Sequence, residues 1–103
     1  MTEQEPIRFA ILGFGFIGRR HAEIIKGHPD CTLVAIADPK EERRELAQAY
    51  QVPVYHDPRK LLSHSPTADV ICICTPNGNH AELAMQALDN RRHVVIEKPM
   101  GLT

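Results

Sequence analysis

Apolar positions along this chain come in short blocks, and the period changes from block to block. Ile7–Leu12 is an apolar run with one charge, Arg8, near its start, which predicts a buried strand. From Ile17 to about Lys26 the spacing is helical, with Ile17, His21, Ile24 and Ile25 near one face. Gly27 suits the position just past that helix, and Pro29 forbids continuation. Thr32–Ala37 reads as a second strand. Asp38 and Pro39 then open a predicted helix that reaches about Tyr50. Pro39 suits the first helical position, and Glu41 and Glu42 suit the positive end of the helix dipole.

Val52–Tyr55 predicts a short third strand, and Pro53 marks it as an edge strand or a strand start. Asp57 and Pro58 repeat the cap-then-proline opening and predict one or two helical turns, followed by a loop over 63–67. Asp69–Cys74 is a continuous apolar strand. A break follows, then a helix over His80–Leu88 carried by Ala81, Ala84 and Leu88, with Asn90 suited to a left-handed close. His93–Glu97 is the fifth strand. Five strands alternating with helices imply a parallel sheet covered on both faces. Right-handed crossovers make that a doubly wound, Rossmann-like α/β domain, with strand order 3-2-1-4-5 expected.

Composition narrows the picture. The chain has 103 residues, enough for one domain over 1–103. Its formal net charge of −1 argues against nucleic acid as a partner. No apolar run approaches the roughly 20 residues that cross a bilayer, and the polar, acidic start MTEQEPI is not a signal peptide. Cys72 and Cys74 alternate on one strand face as small buried hydrophobes. A metal pair there would need a second pair of ligands. No histidine ligand spacing stands out. A reducing, cytoplasmic setting without a structural metal is expected.

The candidate chemistry begins at Gly13, Gly15 and Gly18, a G-x-G-x-x-G between a predicted strand and a predicted helix. Gly13 would allow the tight turn, Gly15 the close approach of a pyrophosphate, and Gly18 tight packing of helix on strand. Phe16 and Ile17 complete the turn, where free N–H groups of the helix start would face an anion. A glycine-rich turn without a ligand is the competing reading. Asp38 ends the second strand 20 residues after Gly18, where a carboxylate takes the hydroxyls of an adenosine ribose. Asp38 and Glu41 also have the spacing of a capping box. A carboxylate at this place would repel a 2′-phosphate, which favours NAD over NADP. Lys40, Arg43 and Arg44 follow closely and would soften that discrimination unless they form a solvated face. Arg19 and Arg20 sit in a first helical turn, where the dipole disfavours cations, a hint of anion contact.

Three segments, GFGFIGRRH, DVICICTPNGNHAELAMQAL and HVVIEKPM, together resemble the N-terminal cofactor domain of the Gfo/Idh/MocA oxidoreductases, the glucose–fructose oxidoreductase and inositol 2-dehydrogenase type. The resemblance covers almost the whole chain. It implies cofactor contacts from Thr75, Pro76, Asn77, His80 and Glu97, and a catalytic lysine at Lys98. Asn77 is alternatively a helix N-cap, His80 a surface histidine and Lys98 a solvated lysine after a strand. In this family hydride passes between a nicotinamide and a sugar, inositol or nucleotide-sugar hydroxyl. The substrate and the general base, a histidine of a D-x-x-x-H motif, belong to a second domain. This chain therefore reads as a cofactor domain incomplete at its C-terminus and inactive alone, with an unpaired fifth strand that invites homo-oligomers. A non-catalytic dinucleotide sensor is the alternative function. Lys98 speaks for the enzyme, since a sensor has no need of it.

Overall fold

The computed structural model of the chain describes residues 5–64, 68–75, 80–89 and 92–96. In chain order it runs β1 (Ile7–Leu12), α1 (Phe16–Lys26), β2 (Cys31–Ala37), α2 (Glu41–Ala47) with a 3-10 turn over Gln48–Tyr50, β3 (Val54–Tyr55), α3 (Pro58–His64), β4 (Val70–Ile73), α4 (His80–Asp89) and β5 (His93–Ile96). The strands form one parallel sheet in the order β3-β2-β1-β4-β5. This is the doubly wound, Rossmann-like arrangement.

Alternation along the strands sends side chains to two cores. Ala10, Leu12, Ala35, Ala37, Ile71 and Ile73 pack with Leu61 and Leu62 of α3 and with Leu83, Ala84 and Ala87 of α4. Ile11, Ile36 and Cys72 pack on the other side with Ala22 and Ile25 of α1 and Ala47 of α2, and Cys74 lies against that same cluster. The two cysteines thus share one face and serve as packing groups. Among the described residues, no helix is long and apolar enough to cross a membrane.

Several local expectations are corrected. The face of α1 against the sheet is Gly18, Ala22 and Ile25, while Ile24 is 60% exposed. Gly18 lets the helix sit close, so that two small residues and Ile25 make the contact. Gly27 does close α1, at φ −85°. Helix α2 starts at Glu41 with Lys40 as its N-cap, not at Pro39, and no side chain caps it. The capping box does not form, because Asp38 is committed elsewhere, as described below. Ser63 and His64 extend α3 rather than forming loop. Pro53 does precede an edge strand, and its carbonyl accepts from the Ile36 N–H at 3.1 Å.

At the amino end of the sheet, Arg8 and Asp69 tie β1 to the start of β4. The Asp69 carboxylate accepts from the Arg8 backbone N–H at 3.0 Å and from its guanidinium at 3.1 Å on both oxygens. These bonds from Arg8 hold the Asp69 carboxyl below the usual carboxylate range. A depressed native pKa gives stability that is present above the unfolded value and lost as the pH falls through the native one. Urea titrations from about pH 5 downwards should therefore show a smaller loss of stability in Asp69→Asn than in the parent. With both side chains 42% exposed, the difference should be small and should shrink in high salt.

Candidate functional site

The carboxyl ends of β2, β1 and β4 are stitched into one platform. Gly13 N–H donates to the Ala37 carbonyl at 2.7 Å, Cys74 N–H to the Leu12 carbonyl at 2.7 Å, and Asp38 N–H to the Tyr55 carbonyl at 3.0 Å. Strand order reverses between β1 and β4, so the platform surrounds the switch point where doubly wound sheets hold ligands.

The three glycines do three different things. Gly13 sits at φ +94°, a conformation L side chains rarely adopt, and a Cβ there would lie 2.8 Å from the Cys74 carbonyl carbon and the Thr75 nitrogen. The turn after β1 thus passes directly beside the exit of β4. A Cβ on Gly18 would lie 2.0 Å from the Gly13 carbonyl oxygen, so α1 and the turn touch backbone to backbone. Gly15 is different. Its missing Cβ faces only the guanidinium of Arg43, with Nη1 at 3.3 Å and Cζ at 3.4 Å. Backbone is therefore bare on that side of the turn, covered only by the end of a flexible side chain. The free N–H groups of the first turn of α1 lie next to it, a place that can receive an anion.

Asp38 is 1% exposed. Its Oδ2 accepts from the Phe14 N–H at 2.7 Å and lies 3.6 Å from Arg43 Nη1. Its Oδ1 accepts from the Lys40 N–H at 2.8 Å. The carboxylate therefore holds the glycine turn and the start of the following loop together. A carboxylate has about four lone-pair positions, so lone-pair capacity remains for a hydroxyl of a ligand.

Around this centre, Phe14 is fully buried and packs edge-on against Tyr50, with ring centroids 5.6 Å apart. Burial, and then the hydrogen bond to Glu23, push the Tyr50 phenol upward, so it stays a neutral donor to that carboxylate. Phe16 is 69% exposed. It lines an open groove of about 430 Å³ with Arg19, Arg20, Glu23 and Tyr50. Ile17 is half-buried and Thr75 is buried at the platform. Pro76, Asn77, Glu97 and Lys98 lie outside the described residues, and His80 opens α4 with its side chain outside them too. Among the described residues, no three His, Cys, Asp or Glu side chains gather as a metal site.

Two features escaped the sequence reading. The bond from Phe14 to Asp38 spans 24 residues and has no local signal. A D-x-x-x-H spacing does occur in this chain, from Asp89 to His93. His93, however, is the first residue of β5 and pairs with Val70, the first residue of β4. That is the amino edge of the sheet, the end away from the glycine turn. It is therefore not placed to act there as a base.

Comparison with known proteins agrees with this fold. The GFO_IDH_MocA family model, described as an oxidoreductase family with an NAD-binding Rossmann fold, matches residues 7–103. The chain is 36% identical over 98 residues to the myo-inositol 2-dehydrogenase of Thermotoga maritima, covering 93% of this chain and 29% of that protein. Among solved structures it is similar to the WlbA dehydrogenase of Bordetella pertussis in complex with NADH and UDP-GlcNAcA. That likeness has a TM-score of 0.83 and 34% identity, over 93% of this chain and 30% of the other. It is also similar to the biliverdin reductase of Synechocystis in complex with biliverdin and NADP+, with a TM-score of 0.84 and 31% identity, over 95% of this chain and 31% of the other. The chain thus spans less than a third of the length of these relatives.

Proposed function

The chain belongs to the Gfo/Idh/MocA oxidoreductase family, and from that premise we propose that it binds a nicotinamide dinucleotide at the glycine turn, with NAD favoured over NADP. The cofactor supplies hydride exchange with a carbinol carbon. The residues of this chain supply position and charge. Free N–H groups at the start of α1 receive the pyrophosphate over Gly15, and the Asp38 carboxylate accepts from the adenosine ribose. The family resemblance gives cofactor contacts to Thr75, Pro76, Asn77 and His80. Glu97 helps hold the ligand, and the Lys98 ammonium stabilises negative charge developing on the substrate oxygen. The substrate is a sugar, inositol or nucleotide-sugar hydroxyl compound, held with its proton acceptor by a further domain.

The observation that carries this reading is the hydrogen bond from Phe14 to Asp38. It fixes a buried carboxylate beside bare backbone at the switch point, the arrangement that a ribose followed by a pyrophosphate requires. A purified 103-residue chain, titrated calorimetrically with NADH and NADPH, should bind NADH more tightly. In Asp38→Asn the advantage of NADH should narrow about tenfold, the effect of exchanging a full carboxylate charge for an amide beside a 2′-phosphate. Equal affinity for the two in the parent would overturn the NAD preference.

A further inference from the structure

The peptide that meets Asp38 is flanked by glycines. Phe14 stands between Gly13, at φ +94°, and Gly15, so the backbone on either side of it is permissive. Its N–H is nevertheless aimed at Asp38 Oδ2 at 2.7 Å. The Phe14 ring supplies the anchor. It is fully buried in the cluster of Ile11, Ala22 and Ile36, and it meets Tyr50 edge-on, with planes at 82° and centroids 5.6 Å apart. Tyr50 is clasped in turn by α1. Its hydroxyl donates to the Glu23 carboxylate, and the Lys26 ammonium stands 5.6 Å from its ring centre. The next residue, Gln51, has a left-handed φ of +59° and is the one non-glycine with a positive φ among the described residues. Such a conformation costs energy and persists where the surrounding packing imposes it. The chain thus bends sharply just where Tyr50 is seated on Phe14.

We propose that Tyr50 is a positioning residue for the dinucleotide, acting through Phe14 on the Asp38 carboxylate. The inference rests on the reading that Asp38 takes the adenosine ribose. Tyr50 seats the Phe14 ring, the seated ring aims the Phe14 N–H, and that N–H fixes the direction of Asp38 Oδ2. With the ring loose, the N–H loses its aim. The remaining polar neighbour of Oδ2 among the described residues is then Arg43 Nη1, now 3.6 Å away. A carboxylate swung onto that cation no longer presents its spare lone pairs to a ribose hydroxyl. The aromatic ring matters more here than the hydroxyl. The bond from the hydroxyl to Glu23 lies at the surface, where water replaces it at small cost. The ring contact, in contrast, is made against a fully buried partner.

The test combines calorimetric titration of NADH with solvent exchange of the Phe14 amide, read by NMR on the ligand-free chain, in the parent, Tyr50→Phe and Tyr50→Leu. Thermal melts confirm that each is folded, and the Ile36 amide, bonded to the Pro53 carbonyl, is the internal reference. Tyr50→Leu should bind NADH about tenfold more weakly, and its Phe14 amide should exchange at least about tenfold faster relative to Ile36. Tyr50→Phe, which keeps the ring, should stay within about threefold of the parent in both. In an Asp38→Asn background Tyr50→Leu should weaken NADH by less than about threefold, since the two residues act in series. Phe14→Leu, which withdraws the ring edge from the other side, should repeat the result of Tyr50→Leu and replaces it if that variant does not fold. A folded Tyr50→Leu whose NADH affinity and Phe14 exchange both stay within about threefold of the parent overturns the role of Tyr50 and leaves the dinucleotide reading standing. An equal loss of affinity with and without the Asp38 carboxylate does the same. A folded parent that binds no NADH overturns the dinucleotide reading and the proposal together.

Discussion

Replacing Gly18 by alanine should destabilise the chain by about 3 kcal/mol or more, the upper range for forcing a group into a packed site. The direction is the informative part. Glycine to alanine inside a helix ordinarily gains up to about 1 kcal/mol, and Gly18 lies in the first turn of α1. Here the added carbon would fall 2.0 Å from the Gly13 carbonyl oxygen. That oxygen is backbone, held in the turn whose N–H is bonded to β2, so it has no cheap way to move. Relief requires α1 to lift from β1, which opens the contacts of Ala22 and Ile25 with the sheet. For a domain of this size, a loss of that order lowers the melting temperature by about 12–24 °C. Thermal unfolding followed by circular dichroism measures it. An unchanged or raised midpoint would mean that the close contact of helix and turn is not a feature of the folded chain.

Gly15→Val should do the reverse, sparing the fold and removing the ligand. A Cβ at Gly15 meets only the guanidinium of Arg43, the free end of a flexible side chain. The backbone there is at φ −79°, which any residue adopts. Gly15 is the N-cap of α1, where valine is poorer than glycine, and the guanidinium must give way, so stability should fall by only about 1 kcal/mol. The branched side chain would stand where the pyrophosphate must approach bare backbone. Loss of NADH affinity should be at least about a hundredfold, or roughly 2.8 kcal/mol. Two glycines of one motif, three residues apart, are thus expected to separate folding from binding.

Much of this was legible in the sequence because the signals are local. Strand β1 is recovered to the residue, and the order 3-2-1-4-5 follows from five alternating elements and the handedness of crossovers. The roles of Gly13 and Gly18 follow from the position of the motif between a strand and a helix. What sequence missed depends on contacts between distant segments. Asp38 has every local mark of a helix cap, yet its Oδ2 accepts from the Phe14 N–H in the turn after the neighbouring strand β1. Its Oδ1 then turns to Lys40, and α2 starts three residues beyond Asp38. Likewise Lys40, Arg43 and Arg44 are equivalent as letters, and only the packing of α2 beside the glycine turn singles out Arg43. Ile24 reads as a core position by period. Of the predicted face Ile25 is buried, but beside it Ala22 and Gly18 face the sheet in place of Ile24. The candidate contacts at Pro76, Asn77, Glu97 and Lys98 lie outside the described residues and rest on the family resemblance.

The most direct measurement is calorimetric titration of NADH into the parent chain and into Gly15→Val, with melting curves recorded on both. Saturable binding by the parent, lost in a variant that still melts cooperatively within a few degrees of it, is the expected result. Equal binding by the two folded proteins would contradict a dinucleotide site at the glycine turn.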